Sequence, residues 1–188
     1  MIDIDYLMSG TPLQQEVHGL LRNHRLMEAL QSYHPILVGT VPLDIQIPGS
    51  DLDLICEVHH LDEFQNEVTR VFGHYPGFSV HQREVQGIPR IKVNFQCGNW
   101  PVELFRQPIA THLQNGYRHM VIEARMLALY GDSFKQRIIA LKLDGLKTEP
   151  AFAKLLHLYG DPYISLMELE NKSDMELLRS EQYAAFNR

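Results

Sequence analysis

Two carboxylates separated by one residue stand at the start of an apolar run in the first third of the chain. Asp51 and Asp53 are the first and third residues of the run 51–58, which otherwise has the composition of a buried strand. Side chains two positions apart on a strand project from the same face, with their Cα atoms about 7 Å apart. Two anions held this close repel each other, and a hard divalent cation between them relieves the repulsion. Oxygen-only ligands suit Mg²⁺ or Mn²⁺, so the pair predicts a metal site; the alternative is a polar start of a strand, capped by Ser50.

Two further features could complete such a site. Gly39 and Thr40 follow the short apolar run 36–38, where a glycine lets the backbone approach a ligand and a hydroxyl with free N–H groups can receive a phosphate. Glu103 lies inside the β-type segment 100–105, on the opposite face from its apolar neighbours, and a carboxylate there needs a partner or an ion. A shared site requires the three acids to converge, with no lysine or arginine filling the space between them.

The order of these residues resembles that of the nucleotidyltransferase superfamily, which includes polymerase beta, the CCA-adding enzymes, antibiotic nucleotidyltransferases and the minimal nucleotidyltransferases. The superfamily pattern is an apolar strand ending in Gly-Ser or Gly-Gly, a short loop, Asp-x-Asp or Asp-x-Glu heading a second strand, and a third acid on a later strand. In this chain those positions are matched by Gly39, Thr40, Asp51, Asp53 and Glu103.

The match has two departures and a defined extent. Thr40 keeps the hydroxyl of the usual serine but adds a methyl group, and Glu103 is one methylene longer than the commoner aspartate. The resemblance covers about residues 13–107. The segments 145–153 and 160–163, together with the chain length, also resemble a bacterial family assigned to that superfamily.

The resemblance implies a metal-dependent nucleotidyltransferase that moves a nucleoside monophosphate from an NTP to an acceptor hydroxyl and releases pyrophosphate. Asp51 and Asp53 would hold Mg²⁺ or Mn²⁺ on the triphosphate, and Glu103 would either share a second ion or act as the base. The acceptor stays open among small molecules, RNA and protein. The other interpretation is a weak or inactive member of the fold that acts as a nucleotide-binding or protein-interaction module. The residues expected to contact the nucleotide are Gly39, Thr40, Ser50, Arg83, Arg90, Lys92 and Arg118.

The segments that must position these residues change from strand to helix patterns along the chain. This order of segments predicts an α+β fold. The resemblance implies a nucleotidyltransferase-like mixed sheet flanked by helices in a domain over 1–107. A helical C-terminal region over 108–188 is expected to pack on this domain. The predicted strands are 36–38, 51–58, 78–85, 88–97 and 100–105. The predicted helices are 12 to about 33, 60–72, 109–130, 132–146, 148–159, one opening at 162 and one after a capping box at Ser173.

The overall composition argues against several classes of protein. The 188-residue chain carries a formal charge of −6, which argues against an extended surface that coats nucleic acid, although a local excess of cations over 83–147 could meet a polyanionic ligand. No run of about 18 apolar residues is present, so we expect no membrane span and a cytoplasmic location. Cys56 and Cys97 are too few for a disulfide scaffold, and we expect buried thiols. A homo-oligomer is compatible with the sequence.

Overall fold

The computed structural model describes residues 4–85 and 87–179. The chain forms two compact units. The first comprises residues 4–44 and 49–117 and contains the sheet, and the second comprises 45–48 and 118–179 and is helical. In the part of the chain that is described, no helix is both long and apolar enough to cross a lipid bilayer.

A mixed sheet of five strands belongs to the first unit. Its strands are β1 (Ile36–Val38), β2 (Leu52–Glu57), β3 (Ser79–Val85), β4 (Ile88–Cys97) and β5 (Trp100–Gln107). They lie in the order β1-β2-β5-β4-β3, and among these described strands β2 with β5 is the one parallel pair. The predicted α+β class with a mixed sheet is confirmed.

The first unit also contains the helices α1 (Pro12–Asn23), α2 (Leu26–Ala29) and α3 (Leu61–Phe72). The predicted capping box begins α1, because the Thr11 side chain accepts from the Gln14 N–H and the Gln14 side chain accepts from the Thr11 N–H. The prediction of one continuous helix from 12 to about 33 is wrong. Arg25 adopts a left-handed backbone conformation with φ of 52°, and this ends the first helix before a separate short one begins.

The two faces of the sheet differ in character. Along β4, buried residues alternate with half-exposed ones, as expected for a strand with one face in the core. The covered face of the sheet and the apolar residues of α1 and α3 form one hydrophobic cluster, which includes Leu52, Leu54, Val17 and Phe64. Because Leu52 and Leu54 lie in this core, the residues that alternate with them on β2 point to the other, more polar face.

The second unit is built from α4 (Asn115–Leu143), whose first turn still belongs to the first unit, α5 (Thr148–Leu155), α6 (Pro162–Met167) and α7 (Asp174–Arg179). Gly131 interrupts α4 with φ of 72°, at the predicted boundary between two helices. The predicted helix start near 109 is wrong, because 111–113 form a 3-10 turn and Gln114 is extended. The predicted end of α5 near 159 is also wrong, since His157 is left-handed with φ of 50°.

The second unit buries several ionisable side chains. Lys142 Nζ donates a hydrogen bond to the carbonyl oxygen of Ile45 at 2.7 Å, which anchors the segment 45–48 in this unit. Burial of Glu123, which is 3% exposed, raises its pKa well above the ordinary value; Glu149 adds to this rise and Lys142 opposes it. Burial alone would also raise the pKa of Glu149, but the hydrogen bond and charge of His119 hold it below the ordinary value.

Both cysteines of the first unit are free and buried, as expected from the sequence. Desolvation raises the pKa of Cys56 to about 12. It also raises the pKa of Cys97, against a smaller opposite effect of its hydrogen bond with Tyr75. Neither thiol is therefore suited to act as a nucleophile.

Candidate functional site

Two neighbouring parallel strands bring the three acids together. Asp53 on β2 is the register partner of Glu103 on β5, and Asp51 stands immediately before β2. Partner residues on adjacent strands point to the same face of a sheet, and so do residues two apart on one strand. One carboxylate oxygen from each acid lies within 4.8 Å of the other two, and all three side chains are half-buried. The sheet therefore places all three acids at one point on its polar face.

The arrangement of carboxylates fits a divalent cation. Oxygen ligands of Mg²⁺ lie about 2.1 Å from the ion, so two ligands on opposite sides of it are about 4.2 Å apart. The acid oxygens, at most 4.8 Å apart, need movements of less than about 1 Å to surround one ion. Because every donor is a carboxylate oxygen, the chemistry of the set favours Mg²⁺ or Mn²⁺ over zinc.

The carboxylate of Asp53 lies against the backbone of Gly39. Val38, the last residue of β1, is the register partner of Asp53, and the chain turns away at Gly39 with φ of +81°. A Cβ atom added to Gly39 would lie 2.6 Å from Asp53 Oδ2, closer than Cβ contacts in proteins come. The left-handed conformation and the close approach both require glycine here. Thr40 and Ser50 are half-buried, at the two ends of the connection from this turn to β2.

Glu103 also takes part in an ion pair that sequence reasoning missed. Lys92 lies on β4, and its Nζ contacts Oε2 of Glu103. The register partner of Glu103 on β4 is Asn94, so Lys92 is the diagonal neighbour of Glu103 on the same face, within reach of a long side chain. The three acids converge as the sequence required, but the further requirement that no lysine or arginine lie among them is not met at Glu103, where a lysine ammonium forms an ion pair. The alternation of apolar and polar residues along β4 places Lys92 and Asn94 on one face, but only strand pairing shows that this face meets Glu103.

A cavity of about 200 Å³ opens beside the acids. Asp51 and Glu103 line it together with the carboxamide residues Asn94 and Gln96. Further lining comes from 76–77, in the connection between α3 and β3, and from Phe95, Pro101 and Val102. None of the described residues that line the cavity carries a positive charge. The sequence contains no local signal for this cavity, because its lining comes from four separate segments.

The remaining cations of the sequence prediction lie in different places. Arg83 on β3 and Arg90 on β4 are direct register partners, in phase with Asn94 and hence on the acid-bearing face. Like charges directly opposite each other on a sheet repel, so this pair is suited to bind an anion. The Arg90 Cζ atom lies 5.9 Å from the centroid of the Phe105 ring. Arg118 belongs to the second unit, where its guanidinium pairs with Glu170.

The sequence pattern of one protein family, described as Domain of unknown function (DUF4269), matches residues 19–169. The chain belongs to the DUF4269 family. Among curated proteins, none matches this DUF4269 chain in sequence.

Solved structures that resemble this DUF4269 chain include two polymerases. The Cid1 poly(U) polymerase with MgGTP bound matches with a TM-score of 0.51 and 14% identity, over 81% of this chain and 47% of the polymerase chain. The polymerase core of TRAMP, an RNA surveillance complex, matches with a TM-score of 0.53 and 14% identity, over 89% and 58%. The chain thus spans about half the length of these structures. Both are nucleotidyltransferase-fold proteins, which confirms the fold that the sequence resemblance predicts.

Proposed function

We propose that this protein is a metal-dependent nucleotidyltransferase. It transfers a nucleoside monophosphate from an NTP to an acceptor hydroxyl, and pyrophosphate leaves. The observation that carries the proposal is the convergence of Asp51, Asp53 and Glu103 within 4.8 Å of one another, beside the Gly39 turn. Three carboxylates on one half-buried face repel one another, and a divalent cation that also binds phosphate oxygens is the partner that suits them.

Each residue of the site has a role that follows from its chemistry. Asp51 and Asp53 would hold Mg²⁺ or Mn²⁺ from one strand, and Glu103 would complete the ligand set from the next. When bound, the ion neutralises phosphate charge and lowers the pKa of the acceptor hydroxyl. Gly39 and Thr40 offer backbone N–H groups and a hydroxyl to the triphosphate, with no side chain at position 39 to obstruct it.

The transfer step is an in-line displacement at the α-phosphorus. The acceptor oxygen forms the new bond to phosphorus, and the bond from phosphorus to the bridging oxygen of the β-phosphate breaks, so its electron pair leaves with pyrophosphate. The acceptor proton passes to a carboxylate oxygen of Glu103 or to solvent. Developing charge on the phosphate oxygens is stabilised by cations, for which Arg83, Arg90 and Lys92 remain the proposed candidates, with the Ser50 hydroxyl as a further contact.

The cavity beside Glu103 is where we place the acceptor. It opens on Glu103, which is proposed as a metal ligand or, alternatively, as the base, and its Asn94 and Gln96 carboxamides can donate to and accept from hydroxyl groups. Its volume of about 200 Å³ accommodates the reacting end of an acceptor, whether a small molecule, an RNA terminus or a protein side chain.

One observation favours a second candidate function. The Lys92 ammonium on Glu103 neutralises one of the three acids without a metal, as expected in a member of the fold that binds nucleotides without transferring them. Such a protein would bind an NTP, act as a nucleotide-binding or interaction module, and release no pyrophosphate.

Product analysis distinguishes these functions. The full chain is incubated with Mg²⁺, cell extract and each of the four NTPs labelled at the α-phosphate, and pyrophosphate release and labelled products are measured. We expect one NTP to give a labelled product, whose mass identifies the acceptor. Asp51→Asn and Asp53→Asn should lower the rate at least about a hundredfold, because each replaces a charged carboxylate ligand with a neutral amide that holds the ion more weakly.

The matched control is Asp144→Asn, which makes the same change at an exposed position in the second unit. It should keep the rate of the unchanged protein. Metal-dependent NTP binding without pyrophosphate release from any NTP would favour the binding module, and equal rates for Asp53→Asn and Asp144→Asn would remove the acid cluster from the mechanism.

A further inference from the structure

Lys92 and a divalent cation compete for the same carboxylate. Lys92 Nζ contacts Oε2 of Glu103, while one oxygen of Glu103 lies within 4.8 Å of oxygens of Asp51 and Asp53. A carboxylate has two oxygens, but a doubly charged ion and an ammonium group on the same carboxylate repel each other. Binding of either cation to Glu103 therefore weakens binding of the other.

The side chain of Lys92 is able to leave Glu103. It is 43% exposed, against 21% for Glu103, so its ammonium group can be hydrated when it moves away. A lysine has a flexible four-carbon stem and a compact charge, which lets it change partners without moving the strand that carries it. The neighbours of Lys92 on this face of β3 and β4 include the facing arginines Arg83 and Arg90. Their positive charges disfavour movement of the Lys92 ammonium toward them.

We propose that Lys92 is an exchangeable cation that links metal binding to triphosphate binding, an inference that rests on the proposed function. Without metal, Lys92 neutralises Glu103. With Glu103 as a ligand of a divalent ion, the Lys92 ammonium would leave the carboxylate and could contact the phosphate oxygens of an NTP bound to that ion. The site therefore binds free metal weakly and the metal–NTP complex well. Lys92 is a positioning residue, because it acts through Glu103 and the phosphates and not on the reacting atoms.

The size of the effect follows from the charges. A single charge about 6 Å from a double charge, in a half-exposed site with a dielectric constant near that of water, changes the affinity by roughly tenfold. Removal of the Lys92 charge should therefore strengthen binding of free Mn²⁺ by about tenfold. The same removal should reduce by a similar factor the gain in Mn²⁺ affinity that an NTP produces, because in the variant no ammonium opposes the free ion and none contacts the phosphates. By linkage, the gain in NTP affinity that Mn²⁺ produces falls by the same factor.

The experiment measures Mn²⁺ binding by electron paramagnetic resonance of the free ion, with and without an NTP analogue whose α,β-bridge cannot be cleaved. The variants are Lys92→Met, Lys92→Gln and Lys92→Arg. Lys154→Met is the matched control, because it makes the same change at an exposed residue of the second unit. We expect Lys92→Met and Lys92→Gln to bind free Mn²⁺ about tenfold more tightly than the unchanged protein, and Lys154→Met to differ from it by less than about twofold. Lys92→Arg keeps the charge but can pair with Glu103 through two N–H groups, so it should not bind free Mn²⁺ more tightly than the unchanged protein.

The outcomes separate this inference from the proposed function. Unchanged or weaker Mn²⁺ binding by both neutral variants, with normal thermal unfolding, overturns the exchange. Absence of Mn²⁺ binding by the unchanged protein and by both neutral variants, with and without the NTP analogue, overturns both the exchange and the metal site. The expected tightening without nucleotidyl transfer to any acceptor supports the exchange and overturns the transferase.

Discussion

Replacement of Gly39 by alanine tests whether the glycine turn and the acid cluster form one site. Gly39 has φ of +81°, and an alanine in this left-handed region costs roughly 1–2 kcal/mol. The added Cβ would lie 2.6 Å from Asp53 Oδ2, whereas such contacts in proteins stay above 3.0 Å, so the carboxylate must move by at least about 0.4 Å. Because Asp53 must itself shift to bind an ion, a Cβ that occupies the space beside its carboxylate restricts that shift, and we expect Mn²⁺ affinity to fall by about tenfold or more.

Gly49→Ala separates the backbone cost from the contact with Asp53. Gly49 has φ of +87° and lies in the same connection between β1 and β2, but a Cβ added there has no neighbour within 4 Å among the described residues. Both variants should lose about 1–2 kcal/mol of stability, which corresponds to a decrease of roughly 2–8 °C in the melting temperature for a chain of this size. Gly39→Ala alone should lose Mn²⁺ affinity.

Calorimetric melting and Mn²⁺ titration by electron paramagnetic resonance measure the two quantities on the same samples. An Mn²⁺ affinity of Gly39→Ala equal to that of the unchanged protein would refute the reasoning, because it would show that the close approach of Gly39 to Asp53 does not control the ligand geometry. A similar loss in both variants would assign the effect to the conformation of the connection as a whole.

Three further outcomes follow from the structure. Because the pKa of buried Glu123 is raised in the folded state, the free energy of unfolding should fall as pH rises above about 4.5. Glu123→Gln should flatten this dependence in melting curves recorded between about pH 5 and 8, and an unchanged pH dependence would contradict the burial of Glu123. Asp161→Ala removes the acceptor for the N–H groups of Tyr163 and Ile164 and should cost about 1 kcal/mol in urea unfolding, whereas the exposed Asp144→Ala should cost less than half of that. Cys56 and Cys97 should react with a maleimide only after denaturation, and rapid labelling of the native chain would show that they are accessible.

Much of the fold is predictable because its signals are local. The capping box at Thr11 and the strand 88–97 are encoded in a few consecutive residues, and the structure has both. The break after Asn23 is not predictable in this way, because the apolar spacing continues through Leu26 and Leu30 while the backbone turns at Arg25. Packing of those apolar residues in the core overrides the continuous helical pattern.

The sequence by itself determined the members of the candidate site that lie close together along the chain. Asp51 and Asp53 share a face because they are two apart on a strand, and Gly39 ends a strand that can pair with theirs. Only the tertiary structure decided that Glu103 joins them, because β2 and β5 are about fifty residues apart and their parallel register is a long-range choice. The Lys92 contact with Glu103 depends on a further pairing, of β4 with β5. Spacing within one segment sets a direction for each side chain, but the distance between segments is set by which strands become neighbours and in what register.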